Sequence, residues 1–379
     1  MPGEKKYDVA IIGGGLAGLS LSIQLAKVGY AVILFEKEKY PFHKVCGEYI
    51  SLESWDFITK LGLDLQQLDL SIIKKLIVSS PSGNIIKEEL PLGGFGISRF
   101  FLDHKLSEIA KEAGVELFDG TKVNEITFKD DQFTVAATNI TIRAKTVSGT
   151  YGKRSNIDVK LSRHFVKKRP NSLNNYIGVK YHVKTQLPAD TISLHNFKNG
   201  YCGISKIEDD KYCLCYLTTA ENLKSNNNSI PELEENLLQK NPLLKQLFTD
   251  VEMLPGFPIT ISQISFDKKT QVEDHVLMIG DAAGMITPLC GNGMSMAFHG
   301  SKIAFKYIDQ FLQNKISRQQ MLENYTSNWK KEFAGRLTIG RAIQRFFGKE
   351  IITNLFISAI KPFPFVIRKL IRSTHGKPF

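Results

Sequence analysis

Apolar and polar positions follow three different rhythms along the chain. Tyr7 to Ile12 is an apolar, β-branched run with no alternation, the pattern of a strand buried on both faces, and Ala31 to Phe35 repeats it. Between them Leu16 to Val28 places apolar residues at helical spacing. The chain therefore begins strand, glycine turn, helix, strand. Helical spacing returns over Leu52–Leu61, from Leu102 to Ala113, near Ile230–Gln239 and over Ser295–Leu312. Runs at Ile72–Val78 and Ile85–Leu90 flank Ser79-Ser80-Pro81-Ser82-Gly83-Asn84, a hairpin signal that opens an inserted antiparallel sheet. Val123–Phe128 and Phe133–Ala137 pair around Lys129-Asp130-Asp131, Thr141–Val147 returns to the first sheet, and alternation from Tyr176 to Thr219 builds the second.

These elements predict a mixed α/β chain with a Rossmann-like dinucleotide domain built from residues 1–70, 96–160 and 270–312. An antiparallel-sheet substrate domain occupies 71–95 and 161–269, and 313–379 forms a helical C-terminal region. The first turn reads Gly13-Gly14-Gly15-Leu16-Ala17-Gly18. Gly13 permits the tight turn, Gly15 lets backbone approach a pyrophosphate, and Gly18 lets helix and strand pack closely. The helix N-terminus, Leu16 and Ala17 included, then offers free N–H groups to phosphate. Glu36 closes the second strand about where an acid would bind a ribose hydroxyl, with Lys37 beside it. The turn alone does not distinguish FAD from NAD(P).

With 379 residues, 42% hydrophobic and 23% charged, the composition is that of a globular protein. The net charge of +11 favours anionic partners such as cofactor phosphates, a phosphorylated substrate or an anionic membrane surface. Nucleic acid is a poor match, because no aromatic stacking platform accompanies the basic residues. Lys153, Arg154, Lys160, Arg163, Lys167, Lys168 and Arg169 read as a solvated basic face. Five cysteines without a Cys-x-x-Cys pair argue against a disulfide framework and against a metal site. With no signal-type apolar run and no span of bilayer length, the expectation is a cytoplasmic chain.

A second informative stretch is Val276-Leu277-Met278-Ile279-Gly280-Asp281-Ala282-Ala283-Gly284, followed by Pro288, Gly291, Asn292, Gly293 and Met294. An apolar strand runs into a small-residue turn whose Asp could accept from a ribitol hydroxyl, and a helix follows. Together with the first turn, over roughly residues 7 to 310, this resembles the FAD-binding fold of para-hydroxybenzoate-hydroxylase-like flavoproteins, nearest to the geranylgeranyl-reductase-like branch. The resemblance implies FAD, with NAD(P)H as an electron donor. It assigns the ribitol to Asp281, lines the cofactor with Gly280, Ala282, Pro288, Gly291, Asn292, Gly293 and Met294, and gives Arg99 a cofactor contact. Lys44-Val45-Cys46-Gly47 resembles a segment of geranylgeranyl reductases that lies against the flavin, with Glu48 where a second glycine is usual.

The expected activity is hydride transfer through flavin N5 to an apolar, unsaturated or prenyl-like substrate, with Cys46, Glu48 and Tyr49 as candidate catalytic residues on one loop and His43 beside them. Alternatives are an FAD-dependent monooxygenase of an aromatic or polyketide-like substrate and a non-catalytic flavin-binding protein. Gly149-Thr150-Tyr151-Gly152 lacks the acid that aromatic hydroxylases carry there. The C-terminal stretch from Phe346 to Arg372 mixes aromatic and aliphatic residues with Lys and Arg. It reads either as a lid over the substrate domain or as a peripheral membrane contact. The residues leave the oligomeric state open.

Overall fold

In the computed structural model, which describes residues 5–167, 174–287, 291–346 and 349–379, the first apolar run is the strand Lys6–Ile12. It pairs in parallel with Val32–Phe35 on one side and Thr141–Gly149 on the other, in register Val9↔Val32 and Ile11↔Ser148. Glu116–Phe118 and Val276–Met278 extend the parallel sheet at its two ends, and the hairpin Val123–Lys129 with Gln132–Ala137 joins Thr141–Gly149. Val9, Ala10 and Ile11 are wholly buried. Each such aliphatic side chain contributes about 1.5–3 kcal/mol, which is why the unbroken pattern gave the centre of the sheet. The helices Leu16–Lys27 and Gly293–Leu312 cover it side by side, joined through the hydroxyls of Ser20 and Ser301 at 2.7 Å.

The second sheet runs, in spatial order, Glu252–Met253, Tyr176–Lys184, Tyr212–Thr219, Gly200–Lys206, Thr191–Phe197, Ile72–Ser79, Ile85–Gly96 and Tyr49–Ser51. The hairpin strand continues past Leu90 to Gly96 and there pairs with Tyr49–Ser51. Apolar alternation fades at Leu90, but Gly93, Gly94 and Gly96 allow the close backbone pairing that carries the ladder on. A Cβ at Gly96 would lie 1.8 Å from the Lys206 carbonyl. The consequence is that the loop Lys37–Glu48 is held at one end by the dinucleotide sheet and at the other by the substrate sheet.

Beyond the body of the molecule, Arg318–Phe346 is one long helix, followed by Glu350–Ile360 and Pro364–Thr374. The last two fold back on Ile86 and Val78 through Ile357, Ile367 and Ile371. No single helix among the described residues is long and apolar enough to cross a membrane.

Candidate flavin site and the buried cluster behind it

The glycine turn is built by exclusion. A Cβ at Gly18 would sit 2.0 Å from the Gly13 carbonyl oxygen, and one at Gly13, where φ is +109°, would sit 2.5 Å from Tyr151 Cα. No side chain fits at either position. Gly15 differs: a Cβ there would meet only Arg99 Nη2 at 3.7 Å and Lys44 Nζ at 3.8 Å. The space in front of Gly15 is thus a cradle lined by two cations and by the uncapped N-terminus of Leu16–Lys27, the surroundings a diphosphate needs. Both cations are fixed by Asp103, which is 1% exposed. Arg99 Nε and Nη2 donate to its two oxygens at 2.8 Å, and Lys44 Nζ lies 2.9 Å away. Burial works against the Asp103 charge, but Arg99 and Lys44 outweigh it and hold the carboxyl below its usual range.

Glu36 organises the turn itself. Its Oε2 accepts from the Gly14 N–H at 2.8 Å and its Oε1 from the Glu38 N–H at 3.1 Å, while the Tyr40 hydroxyl donates to the Gly14 carbonyl. Lys37 turns to the surface, 3.4 Å from Glu38. Thr150 donates to the Gly13 carbonyl at 2.6 Å and so ties the end of Thr141–Gly149 to the turn.

The second turn, Gly280–Ala282, lies beside the first: a Cβ at Gly280, where φ is +65°, would stand 3.2 Å from Ala17 Cβ. Three side chains invisible to motif reading hold its carbonyls. Lys269 Nζ donates to Asp281 O at 2.8 Å, Arg163 Nη2 to Ala282 O at 3.0 Å, and Gln271 Nε2 to Ala283 O at 3.1 Å. The Asp281 side chain is half-buried. Burial raises its carboxyl, against the pull of Lys269, Arg99 and Lys153. Burial also lowers Lys153 and Lys269 to about 8. Arg163 corrects the sequence reading of its stretch as a solvated face: it is 1% exposed and paired with Asp158 at 2.7 Å. A basic residue inside a charged run looks solvated until the fold supplies a buried acid.

Of the remaining candidates, a Cβ at Gly291, where φ is +62°, would lie 3.2 Å from the Tyr49 ring. Gly293 starts its helix, Met294 is buried in the core, and Asn292 Nδ2 donates to the Thr374 carbonyl at 2.9 Å. Pro288 lies outside the described residues. Val45 reaches the second sheet at Gly178, 3.0 Å from where a Cβ would be.

The candidate catalytic loop separates into two environments. The Tyr49 ring packs against Gly94 and Gly291, and burial together with Glu53 pushes its hydroxyl above the usual range. Glu48 points the other way, fully buried, with φ +54°, a conformation that glycine takes without penalty. Its Oε1 receives Lys180 Nζ and, at 2.8 Å, the Arg99 N–H; its Oε2 receives His182 Nε2 at 2.7 Å. Burial opposes the charge, but Lys180 and His182 prevail and Glu48 stays anionic. Lys180, wholly buried, also donates to the Lys44 carbonyl at 3.2 Å. Donor atoms of Glu48, His182 and Cys213 lie within 4.8 Å of one another, with the Lys180 ammonium already supplying the cation. The strained backbone costs about 1–3 kcal/mol, and each charge-assisted hydrogen bond returns about as much.

Cys46 is half-buried, and burial keeps its thiol protonated despite Arg99 nearby. Its carbonyl accepts from Cys213 at 3.2 Å. His43 closes the outer edge, stacked on Phe100 at 4.5 Å and edge-on to Phe257 at 5.0 Å and His182 at 5.2 Å. Burial, then Lys180 and His182, lower its imidazole to about 4. Lys180 and His182 escaped the sequence reading, although a signal exists. They alternate on Tyr176–Lys184, where eight of nine residues are buried, and a charge on such a strand requires a buried partner.

The family described as "FAD binding domain" matches residues 6–332 of this chain. The chain is 26% identical to conditioned medium factor receptor 1 of Dictyostelium discoideum, over 90% of this chain and 71% of that protein. It is 24% identical to the digeranylgeranylglycerophospholipid reductase of Methanococcus vannielii, over 87% and 83%. A flavin-dependent brominase structure superposes with TM-score 0.79 at 21% identity, covering 98% of this chain and 93% of the other. Two glycine-built turns, a cationic cradle at Gly15 and a match over most of the length lead to one conclusion: this chain belongs to the FAD binding domain family of the para-hydroxybenzoate-hydroxylase-like flavoproteins.

Proposed function

We propose that the chain is an FAD-dependent reductase of an apolar, unsaturated, prenyl-like substrate. The observation that carries this reading is the buried Glu48–Lys180–His182 cluster directly behind the cofactor cradle, where Arg99 donates its side chain to Asp103 and its backbone N–H to Glu48. FAD, once reduced by a donor such as NADPH or NADH, supplies a hydride at N5. Reduction of an isolated carbon–carbon double bond also needs one proton, and the chain must provide it.

Cys46, on the loop between cradle and cluster, keeps its proton because burial disfavours the thiolate. Lys180 holds positive charge beside it, and Glu48 fixes both Lys180 and His182. Arg99 and Lys44 at the Gly15 cradle, with Asp281 at the second turn, would hold the FAD. The similarity to a digeranylgeranylglycerophospholipid reductase agrees with such a substrate.

The test is anaerobic. The FAD-loaded protein is reduced and mixed with a geranylgeranylated glycerol phosphate in deuterated buffer, and the extract is analysed by mass spectrometry. The expected product gains two hydrogens per reduced double bond, both of them deuterium, since the flavin N5–H and the donor's proton each exchange with the buffer. A product that forms only with oxygen and carries a hydroxyl overturns the reading in favour of a monooxygenase. FAD that binds and reduces but never turns over with prenyl lipids, aromatic substrates or oxygen places the chain among non-catalytic flavoproteins.

A further inference from the structure

The helices Glu350–Ile360 and Pro364–Thr374 carry their apolar residues on the wrong side for a lid. Ile357 and Thr353 face inward, while Ile351 is 75% exposed, Leu355 66%, Phe365 65% and Phe363 50%. Of ten large hydrophobic side chains exposed among the described residues, six lie between Ile351 and Phe365. Contiguous exposed apolar surface of this kind marks an interaction site. Its surroundings are cationic: from Lys349 to Phe379 there are Lys349, Lys361, Arg368, Lys369, Arg372 and Lys377 against one acid, Glu350.

We propose that this hairpin is a peripheral membrane anchor that seats on anionic bilayer surfaces. The two helices bend by 116° at Lys361–Phe363, which makes the aromatic pair Phe363 and Phe365 the tip, with ring centroids 6.2 Å apart. At 1.5 Å per residue, each 11-residue helix is about 16 Å long, roughly half the hydrocarbon thickness of a bilayer. The hairpin therefore lies in the interface rather than crossing it, its apolar face among acyl chains and its Lys and Arg side chains at headgroup phosphates. A partner protein's groove would need acids to match the same cations, whereas an anionic bilayer offers both chemistries over any area.

The anchor is also tied to the flavin domain. Thr374 O accepts from Asn292 beside Gly291–Gly293, Phe379 N–H reaches Glu53 O at 3.3 Å, and the Phe379 ring stacks on His299 at 4.3 Å. Its inner stripe keeps Ile357 and Ile367 against Ile86, so the outer face is free to dock without unfolding the hairpin. The inference stands whatever reaction the flavin serves.

Co-sedimentation of the full FAD-loaded chain with phosphatidylcholine vesicles, with and without phosphatidylglycerol, tests it. Wild type should pellet with the anionic vesicles and be released by salt. Ile351→Asn with Leu355→Asn should weaken partitioning about tenfold or more, and Lys369→Gln with Arg372→Gln several-fold, with FAD absorbance and circular dichroism unchanged. As a second readout, Leu355→Trp should shift its emission to the blue only with anionic vesicles. The proposal is overturned if wild type stays in the supernatant, if either variant pair pellets as wild type does, or if Leu355→Asn dissociates a dimer that vesicles do not displace, in which case a second copy covers this face.

Discussion

Gly13 and Glu48 both hold backbone at positive φ, +109° and +54°, and they solve the same conformational problem in opposite ways. At Gly13 the solution is to have no side chain, because Tyr151 leaves no room for one. At Glu48 the side chain is kept and its strain is offset by three donors, two of them from a strand more than 130 residues away. The first solution is local and shows in a six-residue motif. The second exists only when the two sheets meet, and it puts a charged cluster where a featureless turn would suffice for cofactor binding. That difference separates the part of the site that binds from the part proposed to react.

The largest expected effect breaks the Glu48 solution. Lys180→Met leaves a buried carboxylate without its main cation and should cost about 3–5 kcal/mol in urea unfolding. Lys180→Met combined with Glu48→Gln should recover most of that loss. If the double variant is no more stable than the single, the pair is not the unit described here.

Turnover is next. On the reductase proposal Cys46→Ser should lower kcat about hundredfold, with the flavin spectrum and KM little changed. A serine variant with wild-type kcat moves the proton donor elsewhere in the cluster.

The glycine solution breaks more gently. Gly18→Ala forces Cβ against a carbonyl and should cost about 1–3 kcal/mol together with the flavin. Gly15→Ala, entering the open cradle, should leave the unfolding midpoint close to wild type and weaken FAD about tenfold. Equal loss of stability at both glycines would mean that Gly15 is a packing position as well.

The smallest effect is a pH dependence. Burial lowers Lys153 and Lys269 to about 8, whereas in the unfolded chain they would stay protonated up to the ordinary lysine range. Between those limits the unfolded state binds more protons, so their contribution to stability rises with pH. Urea unfolding at neutral and alkaline pH measures this, and Lys269→Met should flatten the profile.

Much of the cofactor half was legible before folding. Each glycine turn stands beside its own strand and helix in the sequence, with Glu36 closing the next strand, so the pattern shows locally even where the atom that excludes a Cβ at Gly13, on Tyr151, comes from far along the chain. The resemblance carried by those residues agreed with the family match. Legibility ended where the partner was distant. Arg163 read as solvated because Asp158 and the Ala282 carbonyl were not visible beside it, and Lys180, His182, Lys269 and Gln271 sat in stretches read only as strands or connections. The strand ending at Gly96 ran past its apolar pattern because glycine pairing, rather than side-chain alternation, carried it.

What the sequence determined alone is the dinucleotide frame: an apolar period of one strand, one helix and one strand, punctuated by residues without side chains, has few other ways to bury its surface. Only the tertiary structure decided that Glu48 is an anion held by Lys180 and His182, that the turn at Asp281 is held from behind by three side chains, and that the terminal hairpin turns Ile351, Leu355, Phe363 and Phe365 outward. Each of these depends on the burial and electrostatics of groups far apart in the chain, and such energies have no sequence period to betray them.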